Sequence, residues 1–179
     1  MEGCAIESIV NALLGAPVIA AVRDAASLDR ALRSPVRVVF LLGGDVFGLP
    51  AQVQRVQRAG KQVYVHLDLV DGFSRDAAGV KMAARLIRPD GILSTRVPLV
   101  RAAADEGLRT VLRIFMVDSS SYETGERMIK SGTPEMIEVM PGLVSRAITR
   151  LRARIAQPVI AGGMMADAQD VRAALNAGA

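Results

Sequence analysis

Gln62-Val63-Tyr64-Val65-His66-Leu67-Asp68 is the stretch whose reading decides the fold. It is short, β-branched and apolar, and its acid and imidazole stand near its end. A strand alternates faces with a period of two, so His66 and Asp68 fall on one face. Val63, Val65 and Leu67 fall on the other and suit packing against helices. A charge buried in that packing would cost several kcal/mol. A strand with an apolar back and a polar carboxyl end is what a sheet covered by helices requires.

Runs of the same kind recur on both sides: Pro17–Val22, Val36–Leu42, Gly91–Thr95, Thr110–Phe115, Met136–Met140 and Pro158–Ala161. They begin about 20 residues apart with a helix-length segment in each gap, which implies parallel strands joined by crossovers. Their continuous apolar character is that of parallel strands covered on both faces. Start and stop signals mark the helices. Ser27 is placed to cap Leu28–Arg33, Gly60 ends Pro50–Ala59, and Gly107 ends Leu99–Glu106. Ser121 begins a segment that stops near Gly132, and Asp167 caps Ala168–Ala177 before Gly178. Gly3–Leu14 reads as an extra amphipathic helix ahead of the first strand.

An open doubly wound sheet needs a long connection where strand order reverses, and even spacing argues against one. The reading is therefore α/β: a small (β/α)8 TIM-type barrel with short loops, forming a single domain over 1–179. The chain stops at Asn176-Ala177-Gly178-Ala179, where an eighth strand should begin. That strand is expected to be missing or truncated.

The 179 residues are 51% hydrophobic with a net charge of +4. That supports a substantial core and argues against disorder. No apolar run reaches the roughly 18 residues a membrane span needs. Glu2 and Glu7 spoil any signal peptide, so a cytoplasmic location is expected. The single cysteine, Cys4, excludes an internal disulfide and any multi-cysteine metal site. Arginine outnumbers lysine heavily, which permits a nucleic-acid partner without requiring one.

Function in barrels gathers at the carboxyl ends of the strands. There the sequence places Arg23, His66, Asp68, Thr95, Arg96, Arg113, Asp118 and Glu138. Arg113 and Glu138 are lone charges within apolar strands, open both to a ligand role and to a buried ion pair that only fixes the interior. Gly162 and Gly163 follow the seventh strand, where backbone N–H groups can approach a phosphate. Met140-Pro141-Gly142 is a rigid turn after the sixth. His66, Asp68 and Glu138 could in principle hold a metal, but the nearby arginines argue against it. No zinc spacing, dinucleotide fingerprint or P-loop lysine is present.

Five of these segments together resemble one family. His66-Leu67-Asp68-Leu69-Val70-Asp71-Gly72 resembles the HxDLxxG of glycerol-3-phosphate-responsive antiterminators, also called glycerol uptake operon antiterminator regulatory proteins. Gly91–Arg96 resembles their GIISTR, Arg113–Ser119 their RxFxxDS, Ile137–Gly142 their IEVLPG and Pro158–Gly163 their PVIAGG. The segments occur in order from about Pro17 to Ala179. The resemblance implies a barrel without a cofactor or catalytic residues that takes glycerol 3-phosphate as effector. The liganded protein then binds the leader mRNA of glycerol-utilisation genes and prevents early termination. On that mapping Gly162 and Gly163 meet the phosphate, with positive charge from Arg23, Arg96 or Arg113. His66, Asp68 and Glu138 hydrogen-bond the glycerol hydroxyls. An oligomer is compatible with the sequence.

The competing function is a barrel enzyme, of isomerase or aldolase type, acting on a small phosphorylated substrate with Asp68, Glu138 or His66 as acid or base. Schiff-base chemistry is disfavoured because no lysine sits at a strand end. A third reading is a barrel that has lost its ligand or partner.

Overall fold

The computed structural model describes residues 9–179. Cys4 and the start of the expected 3–14 helix lie outside them. The described part of that helix is α1 (Ile9–Gly15). Seven strands follow: β1 (Ile19–Val22), β2 (Val38–Leu41), β3 (Gln62–His66), β4 (Gly91–Ser94), β5 (Arg109–Phe115), β6 (Met136–Met140) and β7 (Val159–Ala161). They form one parallel sheet in sequential order β1 to β7. Between them run α2 (Ala25–Arg33), α3 (Leu49–Arg58), α4 (Ala77–Met82), α5 (Val97–Asp105), α6 (Ser120–Gly132) and α7 (Ser145–Arg152). The last helix, α8 (Ala168–Asn176), follows β7. Among the described residues β1 and β7 each pair with one neighbour only. Among the described residues the fold is thus a TIM-type barrel with seven strands.

Strand alternation sorts the core into layers. Val39, Val63, Val65, Ile92 and Leu67 pack outward against helices in one cluster, and Leu112, Ile114, Ile137 and Val139 in a second. The inward positions Val38, Phe40, Tyr64, Leu93, Val111 and Met136 form a third. Ile9 and Ala12 of α1 join that inner cluster, so the first helix packs against the barrel interior. Each fully buried Leu, Ile or Val contributes about 1.5–3 kcal/mol.

The helix boundaries follow local chemistry, with two departures from the sequence reading. Ser27 does not cap α2. Asp24 does, accepting from Ser27 N, while the Ser27 hydroxyl accepts from Asp24 N in a capping box. The β3 run also ends one turn early: Leu67–Leu69 is a short 3-10 turn, not strand. Pro50 and Pro98 sit in the first turns of α3 and α5, where a missing N–H costs nothing. Asp167 caps α8 as expected, accepting from Gln169 N and Asp170 N.

Candidate functional site

The register of β5 against β6 pairs Arg113 with Glu138 directly. Parallel partners share a face, so the two side chains meet. Arg113 Nε donates to Glu138 Oε2 at 2.6 Å, and Arg113 Nη2 donates to Oε1 at 3.3 Å. Both residues are buried, at 7% and 5% exposure. This is the fork-on-carboxylate geometry that makes charge-assisted pairs strong. Burial raises the Glu138 carboxyl above its usual value, and the hydrogen bonds and charge of Arg113 oppose the rise.

Gly162, after β7, explains how so bulky a pair fits. A Cβ there would overlap Glu138 Oε1 and lie 2.9 Å from Cδ. The glycine is needed for room. Its N–H donates to Val139 O at 2.9 Å and its carbonyl accepts from Gly142 N. The expected phosphate contact through the Gly162 amide is therefore not open here, because the ladder already engages that donor. Gly163 stands at φ +74 with the Met140 side chain beside it.

His66, at the end of β3, is 2% exposed. Burial and, second to it, the positive charge of Arg113 bring its pKa down to about 4 against the opposing charge of Asp68. The ring is neutral at pH 7. Its Nδ1 lies 3.6 Å from Asp68 Oδ2, too far for a hydrogen bond, and has no other partner. Asp68 itself sits on the 3-10 turn and reaches across to the end of β4. Its Oδ2 accepts from Ser94 Oγ at 2.9 Å, Thr95 N at 2.8 Å and Thr95 Oγ1 at 3.2 Å. Its Oδ1 faces Arg96 Nε at 3.3 Å. Ser94 is fully buried, and its hydroxyl oxygen also accepts from Arg96 N. Sequence reasoning did not select Ser94; a serine ending an otherwise apolar strand was the available signal.

The remaining expected residues separate into two groups. Thr95 and Arg113 line a cavity of about 290 Å³ at the carboxyl end of β5, together with Asp118, Ser120 and Ser121. Asp118 is the less available of these. Its Oδ1 accepts from Ser120 Oγ, Ser121 Oγ and Ser121 N, which hold its carboxyl below the usual range. Arg23 is exposed after β1, and its side chain makes no ion pair among the described residues. No cluster of three metal-ligating side chains occurs among the described residues. None of the described helices is long and apolar enough to cross a membrane.

The arrangement is a carboxyl-end mouth with one neutral imidazole, one buried ion pair and one carboxylate bound to hydroxyls, an amide and an arginine. Such a mouth offers donors and acceptors at fixed positions to a small polar ligand. Known proteins share both its chain and its fold. A protein of Escherichia coli K12, "Uncharacterized protein YgcP", is 35% identical over 162 residues, spanning 90% of this chain and 85% of its own. The crystal structure of a glycerol uptake operon antiterminator regulatory protein from Listeria monocytogenes superposes with a TM-score of 0.86 at 31% identity. It covers 90% of this chain and 87% of that one. A glycerol uptake operon antiterminator-related protein from Thermotoga maritima gives 0.79 at 28% identity, with 88% of each chain covered. Residues 18–179 match the family described as glycerol-3-phosphate responsive antiterminator. With the match running from the first strand to the last residue, the chain belongs to the glycerol-3-phosphate responsive antiterminator family.

Proposed function

We propose that this chain is a regulator, not an enzyme, that senses glycerol 3-phosphate and, once liganded, binds the leader mRNA of glycerol-utilisation genes in the cytoplasm. The observation that carries the sensing half is the convergence of neutral His66 and the Arg113–Glu138 pair at one end of the barrel. A neutral imidazole both donates and accepts, which suits a hydroxyl. Arg113 uses two of its five N–H donors on Glu138 and keeps the others for an anion. Thr95 and the Gly163 amide complete the set of candidate contacts. Schiff-base chemistry finds no support in lysine positions, since Lys61 begins next to β3 at the other end and donates to Ser34 O and Val36 O.

A thermal-shift titration tests the proposal. Glycerol 3-phosphate at about 100 times its dissociation constant adds about 2.7 kcal/mol to stability. Glycerol and inorganic phosphate, each matching half of the site, give smaller shifts. A shift from glycerol 3-phosphate no larger than that from phosphate removes the sensing claim.

A further inference from the structure

The two ends of this barrel carry opposite charge, and the difference bears on where RNA touches the protein. At the carboxyl end Asp24, Asp76 and Asp167 cap helices, and Asp118 accepts from Ser121 N in the first turn of α6. Asp45 and Asp71 add to them, joined by a bridge between their backbones. Arg23, Arg75 and Arg96 stand among them, but the six carboxylates outnumber these cations, so a phosphodiester chain approaching the mouth meets net negative charge.

The amino end differs. The connections α2–β2, α3–β3 and α4–β4 bring Arg33, Arg37, Arg58, Lys61 and Arg88 onto one arc. Hydrogen bonds show the three connections to be neighbours. Lys61 Nζ donates to Ser34 O and Val36 O, and Gln57 Nε2 donates to Arg88 O. None of the five cations has a carboxylate partner among the described residues, and all but Lys61 are exposed. Asp90, the acid nearest in sequence, turns inward: its Oδ2 accepts from Val63 N. Arg85, at the arc's edge, faces Glu106 at 3.8 Å.

Cations at helix C-termini complement the helix dipole, and that accounts for some of these positions. It does not account for the missing acids. The same dipole acts at the ends of α5 and α6, yet Asp105, Glu106 and Glu135 stand there, and Arg109 and Arg154 face Glu135 and Glu126. Three cations without a carboxylate partner among the described residues also stand at the ends of α6 and α7, namely Lys130, Arg150 over the Tyr122 ring, and Arg152, which donates to Gln157 O; the group of five lies on the β2–β4 side. The arc presents no aromatic ring, since Phe40, Tyr64 and Phe73 are buried and Phe47 and Phe115 are exposed at the other end. It is built to meet phosphates, not stacked bases.

Resting on the proposed RNA-binding function, we infer that this arc is the RNA-contacting surface. It takes the sugar–phosphate backbone of the leader and stands opposite the effector mouth. The effector then acts on RNA binding through the barrel and not by touching the RNA.

The test is fluorescence anisotropy with a labelled transcript of the leader preceding a glycerol-utilisation gene, with glycerol 3-phosphate present. Arg33→Glu/Arg58→Glu/Arg88→Glu is compared with Arg127→Glu/Arg146→Glu/Arg172→Glu, which changes charge equally on outer helix faces. The first variant is expected to lose more than about tenfold in affinity and to flatten the log–log salt slope by about 2. The second is expected to stay within about threefold, because long-range charge is screened. An unchanged thermal shift with glycerol 3-phosphate shows that the first variant is folded. Equal losses in both variants, or wild-type affinity in the first, overturn the assignment while leaving RNA binding intact. A wild-type chain that binds no RNA overturns the functional reading, and the assignment with it. Binding to phosphatidylglycerol vesicles through the same arginines, with no RNA binding, replaces RNA by an anionic membrane and overturns both.

Discussion

Gly162→Ala should damage this protein by striking the buried ion pair at the mouth. The new Cβ would overlap Glu138 Oε1 and sit 2.9 Å and 3.0 Å from Cδ and Cγ. Glu138 must retreat by about an ångström to reach ordinary contact distance. The 2.6 Å and 3.3 Å bonds from Arg113 cannot both survive that movement. Overpacking alone costs about 1–3 kcal/mol, and breaking a buried ion pair costs about 3–5. Partial relaxation places the loss at about 2–4 kcal/mol, a fall in Tm of roughly 5–15 °C for a chain of this size. Gly163→Ala is the comparison. Its Cβ would meet the flexible end of Met140, which can move, so the positive φ dominates at about 1 kcal/mol. Calorimetric melts of both variants and of each in a Glu138→Ala background separate the causes. With Glu138 truncated, the overlap is gone and Gly162→Ala should cost little. A Gly162→Ala chain melting within about 2 °C of wild type, or one equally harmed without the Glu138 side chain, refutes the reasoning.

His66 is the one histidine in the chain, so its ring resonances are unambiguous. An NMR titration should give a midpoint near 4. A midpoint near the free value of about 6.5 would mean that the ring is not buried beside Arg113. The unfolded chain binds a proton between those two values while the fold does not. Stability should therefore rise with pH across that window, by roughly 3 kcal/mol in all, and stay level above it. Asp68→Asn keeps the shape but weakens a charged acceptor of three hydrogen bonds and frees Arg96, with an expected loss of about 1–2 kcal/mol in urea unfolding. Unchanged stability would show those bonds to be idle.

The barrel was legible because parallel strands covered on both faces write their apolar runs continuously, and because capping acids and positive-φ glycines punctuate the gaps. Gly60 and Gly107 do stop their helices at φ +71 and +77. Ser27 misled because the capping box uses both Asp24 and Ser27, and the sequence alone does not say which is outside the helix. His66 and Asp68 were assigned to one strand face, and they do converge. They do so by a different route, since a 3-10 turn after His66 carries Asp68 toward Ser94 and Thr95. The Arg113–Glu138 contact could be suspected from two lone charges on apolar strands, but only register makes it certain. The Gly162 amide shows the reverse limit. A glycine pair after a strand suggests an anion site, and nothing in the sequence reveals that Val139 O already holds one of the two donors.

The ion pair at the mouth bears on why a binding protein tolerates so costly a feature. A buried pair adds little net stability compared with well-packed apolar groups. Its geometric effect is larger. Glu138 fixes the plane of the guanidinium through Nε and Nη2, so the remaining N–H groups point in set directions. Burial keeps His66 neutral with the same positive charge assisting, and a neutral ring leaves its second nitrogen an acceptor. A structural role and a recognition role are then not alternatives for these residues. On the proposed reading, the pair that fixes the interior also supplies oriented donors to an anion and an uncharged partner to a hydroxyl. Glu138→Gln separates the two. It keeps the shape and one acceptor, but removes the charge that orients Arg113. It should therefore weaken glycerol 3-phosphate more than inorganic phosphate in the same thermal-shift assay. Equal weakening of both ligands would mean that the pair merely holds the fold together.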